Sequence, residues 1–111
     1  MNLITETLRA QLLANGRQSL DNDDFDPPPV VKLFTPDADA TWLLTEIDPD
    51  DHDHAFGLCD LGHGFPELGY VSLAELQTVH GRLGLQVELD LHFTTTVREN
   101  ASASKHHMRF L

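Results

Sequence analysis

The chain has 111 residues and a mass of 12.4 kDa, the size of one domain and too small for two. At 41% hydrophobic and 23% charged residues its composition is that of a folded chain, not a disordered one. Eighteen acidic residues against seven basic ones give a formal net charge of −11, a field that repels DNA, RNA and anionic membranes and attracts basic protein surfaces or divalent cations.

The whole excess lies in residues 21–60, which hold twelve acids and a single base, Lys32. It serves either to keep a small protein soluble or to form a binding surface. One cysteine, Cys59, rules out an internal disulfide and fits a reducing cytoplasm. Residues 1–16 lack the basic start and unbroken apolar stretch of a signal peptide, and no apolar run approaches a membrane span. A soluble, cytoplasmic protein is expected.

Residues 5–15 read as an amphipathic helix. Thr5 is its N-cap, Leu8, Leu12 and Leu13 its apolar stripe, and Asn15-Gly16 its stop. Residues 18–29 read as an acidic linker ending in Pro27-Pro28-Pro29, a rigid lead into a strand. Residues 30–35 form that strand, and Pro36 to Asp39 a turn. Ala40 to Ile47 returns antiparallel, with Trp42, Leu44 and Glu46 on one face and Leu43, Thr45 and Ile47 on the other. After a polar loop at 48–53, Ala55 to Leu61 is a third strand, and Leu68 to Val71 a short fourth. The two glycines of Gly62-His63-Gly64 meet backbone demands at the bend between them.

Ser72 and Glu75 are spaced as a capping box opening a short helix that buries Leu73, Leu76 and Val79 and ends near Gly81 or Gly84. Leu85 to Phe93 alternates strictly, which predicts a nine-residue strand able to lie at a sheet edge and pair between chains. The expected fold is α+β: a small antiparallel sheet of four to five strands with the N-terminal helix and the short helix packed on one face. The domain covers residues 1–97, and residues 98–111 form a polar tail.

The ordered series Val30 to Pro36, Thr41 to Glu46, Phe56 to Gly62 and Pro66 to Ser72 resembles a family of short bacterial proteins, the 2958 domain of unknown function. The resemblance covers about residues 2–93. It implies a cytoplasmic bacterial protein of plasmids and other mobile elements, with work in maintenance, transfer or evasion of host defence, and no catalytic residues to carry over.

Three constellations bear on chemistry. Asp48, Asp50, Asp51, Asp53, His52 and His54 crowd one loop, and Asp48, Asp50, His52 and His54 form a candidate divalent-metal set, although the spacing is not that of an EF-hand. Cys59 with His63 and Asp60 is a candidate thiol nucleophile with its base, against a small buried hydrophobe. Gly62-His63-Gly64 lacks the third glycine and the lysine of a phosphate loop.

The preferred expectation is a non-enzymatic interaction module without cofactor, acting as a monomer or an edge-strand dimer. Its protein partner carries a basic surface, and neither nucleic acid nor membrane is bound directly. The carriers are Asp21, Asp23, Asp24, Asp26, Asp37, Asp39, Asp48, Asp50, Asp51 and Asp53, spaced in the sharpest version as a mimic of DNA charge. The alternative is a metal-assisted hydrolase or metal-binding protein using residues 48–54.

Overall fold

The computed structural model describes residues 3–62, 64–91 and 93. Thr5 caps the first helix, α1 (Glu6–Asp21), accepting a hydrogen bond from the Leu8 N–H at 3.2 Å. Leu12 is fully buried, and Leu8 and Leu13 pack at the margin of the same cluster, so the expected apolar stripe holds. The expected stop does not. The helix passes through Asn15 and Gly16 and ends at Asp21, so the linker begins at Asn22 rather than at residue 18. A helical glycine costs about 1 kcal/mol relative to alanine. Here tertiary contact offsets that cost, because Asn15 and Gly16 are both buried against the sheet.

The sheet contains β1 (Val31–Phe34), β2 (Thr41–Ile47), β3 (His54–Asp60), β4 (Glu67–Ser72) and β5 (Glu88–Leu89), with helix α2 (Leu73–Leu76) between the last two. The order is β4-β3-β2-β1-β5 and every pairing is antiparallel. This is the α+β fold expected, with β5 at an edge. Val31 and Leu33 of β1, Trp42, Leu44 and Ile47 of β2 and Ala55 of β3 form one buried cluster with Ile4, Leu12 of α1 and Leu73 and Leu76 of α2. On the opposite face Leu43, Leu58 and Leu68 line up across three strands as a smaller cluster.

A β-bulge corrects the expected facing of β2. Leu44 pairs with Gly57, but Glu46 pairs with Phe56 and Ile47 with Ala55, so Thr45 is the extra residue. The side-chain alternation therefore slips by one. Ile47 joins Trp42 and Leu44 on the core face, and Glu46 turns to the face of Phe56 and Tyr70. The bulge falls where β1 has ended, and α1 takes the vacated place: Asn15 Nδ2 donates to the Thr45 carbonyl at 2.9 Å. The Thr45 hydroxyl in turn donates to the Phe56 carbonyl at 3.2 Å.

The last expected strand shrinks most. Among the described residues Glu88–Leu89 joins the sheet, against Leu33 and Phe34, with the Asp90 N–H adding a bond to the Lys32 carbonyl, while Gln86 makes an isolated antiparallel bridge with His80. β1 pairs all four of its residues with β2 but only Leu33 and Phe34 with β5. Val87 is buried and Leu89 half-buried, while Leu85 and Leu91 are exposed. α2 is also shorter than expected: Thr78 and Val79 already bond three residues back, and the chain reverses at Gly81–Gly84. Gly62 and Gly64 hold φ of 83° and 82°, as the bend requires. The tail at 98–111 lies outside the described residues. Among the described residues no helix is long and apolar enough to cross a membrane.

A Cβ on Gly16 would lie 1.9 Å from the Ile47 carbonyl oxygen, whereas one on Gly69 would meet nothing within 4 Å. Gly16→Ala is expected to destabilise the fold by about 2–4 kcal/mol despite its better helix propensity. Gly69→Ala should stay within about 1 kcal/mol of the parent. Urea denaturation of the two variants checks the contrast, and equal midpoints would show that α1 does not seat on β2 through Gly16.

Candidate functional site

The aspartates expected to carry function fall at three places. Asp21 ends α1, and Asp23, Asp24 and Asp26 follow in the segment leading to the prolines. Asp37 and Asp39 lie in the β1–β2 turn, at one end of β2. Asp48, Asp50, Asp51 and Asp53 occupy the β2–β3 loop at its other end, roughly 20 Å away for a seven-residue strand. Asp37 and Asp39 thus stand apart from Asp48, Asp50, Asp51 and Asp53 by the length of β2.

Much of this acid builds turns. Asp48 Oδ1 accepts from the Asp50 N–H at 2.8 Å, Asp51 Oδ1 from Asp53 at 3.1 Å and Asp60 Oδ1 from Gly62 at 2.9 Å. Each is an Asx turn, in which a short side chain replaces a backbone partner. Asp37 Oδ2 accepts from the Leu83 N–H, tying the β1–β2 turn to the reversal before β5. Asp53 works hardest. It receives the Ser72 hydroxyl and, at 2.8 Å, the Ala74 N–H, while its carbonyl takes the Leu73 N–H. Ser72 Oγ accepts from Glu75 at 3.2 Å, the bond expected from the capping box. The β2–β3 loop thereby caps α2 from outside the helix.

These hydrogen bonds, the one from Ser72 foremost and that from Ala74 next, hold the Asp53 carboxyl below the ordinary carboxylate range, with smaller help from His54 and Arg9. Arg9 also reaches the His52 carbonyl at 3.4 Å, which fastens α1 to the same loop.

Within the metal set, His52 Nε2 faces the Pro49 carbonyl at 3.1 Å and His54 Nδ1 lies 3.1 Å from Asp51. Asp48 is turned into its own loop. Among the described residues no group of three or more His, Cys, Asp and Glu side chains comes together to hold a metal ion. Cys59 pairs with Trp42 in the sheet and packs against the core. Burial pushes its thiol up, and Asp60 and Glu67 add to this against a hydrogen bond from Trp42, so the nucleophilic thiolate is disfavoured. His63, its candidate base, lies outside the described residues.

Two concavities adjoin the acidic segments. A groove of about 760 Å³ runs between α1 and residues 25–30, walled by Leu8, Gln11, Phe25, Asp26, Pro28 and Phe93 among others. A smaller cavity lies between α1 and the bulge, where Glu46, Asp48 and Tyr70 meet Ser19 and Leu20. Glu46 and Tyr70 had no motif to single them out, since strict alternation puts Glu46 on the face of Trp42 and Leu44 until the bulge is known.

The family model described as Protein of unknown function (DUF2958) matches residues 3–107. The chain belongs to that family. The match runs past Phe93, so DUF2958 takes in most of the segment that the sequence separates as a tail. No curated protein and no solved structure matches this DUF2958 chain.

The Asp53 cap yields a signed pH dependence. Its folded pKa lies below the ordinary aspartate value of 3.8, so its charge favours the folded state above that value. The contribution is lost as pH falls through the folded pKa. Asp53→Asn is expected to melt below the parent at neutral pH, with the gap closing in acid below about pH 3.8. Thermal melts from pH 7 to pH 2 check this, and a gap independent of pH would remove the carboxylate from the account.

Proposed function

We propose that this DUF2958 protein is a non-enzymatic binding module of a bacterial mobile element, working in the cytoplasm on a protein partner with a basic surface. One observation carries the reading. Lys32, the only base of residues 21–60, is 3.7 Å from Asp90, so the stretch with twelve acids contributes no uncommitted base. Its negative field speeds encounter with a basic surface and makes binding salt-sensitive. Asp21, Asp23, Asp24, Asp39, Asp50 and Asp51 stand exposed at its three places.

In the sharper form the acidic surface copies the charge of DNA and occupies the basic groove of a nucleic-acid-handling or defence protein. That form engages both ends of β2 together, whereas a local contact uses one. A setting on plasmids and other mobile elements, which the sequence resemblance implies, would suit such a partner.

The full chain, immobilised in a bacterial lysate at about 50 mM salt, should capture basic nucleic-acid-binding proteins and release them near 500 mM as charge is screened. Asp39→Asn and Asp50→Asn/Asp51→Asn, changed at opposite ends of β2, should each weaken capture if the charge mimic is right. Capture that is indifferent to salt, or unchanged when the exposed aspartates are neutralised, would sink the binding role.

A further inference from the structure

The groove of about 760 Å³ between α1 and residues 25–30 has apolar walls beside an acidic segment. Leu8 stands on the helix wall and Phe25, Pro28 and Val30 on the other, all half-buried. Gln11 and Gln18, exposed along the helix wall, offer amide donors and acceptors to a backbone lying beside them. Asp26 belongs to the groove, and Asp23 and Asp24 stand exposed just before it. Phe93 lines the same groove, so the chain that follows β5 starts at this opening. The eighteen residues after Phe93 carry Arg98, Lys105 and Arg109 against a single acid, Glu99, whereas residues 21–26 carry four aspartates and no base. The two segments attract each other wherever they meet. The family model continues through residue 107, which counts most of the basic segment with the domain.

We propose that residues 94–111 lie back in this groove as a basic arm, with residues 94–98 as the part that fills it. Thr94, Thr95, Thr96 and Val97 are β-branched and favour extended backbone. Five extended residues reach about 17 Å, and the helix wall from Thr7 to Gln18 rises by about the same length. The stretch from Phe93 to Arg98 therefore matches the groove, with Val97 suited to its apolar walls and Arg98 as its first base. A tethered segment meets its site at an effective concentration of about a millimolar, without the translational cost that a separate molecule bears. Weak contacts are then enough to fill the groove from within the chain. A second copy carries the same net charge of −11 and has that repulsion to overcome. Lying there, the arm screens the aspartates of residues 21–26 from a basic partner. This consequence rests on the binding role above, while the docking does not.

The test uses the full chain labelled with ¹³C and ¹⁵N. Nuclear Overhauser contacts should join the methyl groups of Thr95, Thr96 and Val97 to the side chains of Leu8, Phe25 and Val30, and weaken between about 50 and 500 mM salt. Val97→Ser, a change without charge, should remove most of them. Absence of these contacts in the parent at low salt would overturn the docking. Contacts found only between a labelled and an unlabelled chain would seat the arm in a second copy and overturn it equally. Lysate capture separates docking from role. An arm docked about two-thirds of the time lowers a partner's apparent affinity about threefold, so Val97→Ser should bind basic proteins about threefold more tightly. Unchanged capture, with the contacts present in the parent and lost in the variant, would remove the screening and leave the binding role. Contacts as expected, with no basic protein captured by either chain, would leave the arm docked and overturn the role.

Discussion

One extra residue in β2 governs the arrangement of this domain. Thr45 has no register partner in β3, and its carbonyl is met by the Asn15 side chain from a helix thirty positions earlier. The bond costs little to make, since both groups would otherwise be buried without partners. Its effect is out of proportion to its strength. It lets β2 carry Ile47 into the core and Glu46 out of it, and it holds α1 close enough that only glycine fits at position 16. Core, helix docking and the acidic cavity all follow from that one slip in register.

The acidity of the chain has two causes that composition alone merges. Aspartate is the side chain that best satisfies a backbone N–H two residues on, and the turns of this small sheet use it repeatedly. Asp53 extends the same chemistry to a helix terminus that is distant in sequence. A carboxylate so engaged still bears its charge. Building turns and building a negative field are therefore the same act, and the unbalanced part of that field is what a basic partner would meet.

Local signals were legible where local physics decides. Thr5 and Ser72 cap their helices as their spacing indicates, and the strand meander from Val31 to Ser72 follows its alternation and turns. Elements decided by distant contacts were not. Asn15-Gly16 has the look of a helix terminus, yet both residues are consumed by contact with β2. Leu85 to Phe93 has the cleanest alternation in the chain, yet among its described residues only Glu88–Leu89 joins the sheet. The candidate loop at 48–54 was visible as a cluster of acids and histidines. That Asp53 serves a helix, and that Glu46 forms a cavity floor, depends on which residues the fold brings across to them.

The four-residue length of β1 has a further consequence. Beyond Val31 the flank of β2 would expose strand backbone able to add a strand from another molecule, a common start of aggregation. α1 lies over that flank, and its Asn15 amide occupies the Thr45 carbonyl that an incoming chain would use. The helix therefore covers strand backbone at that flank as well as walling the core.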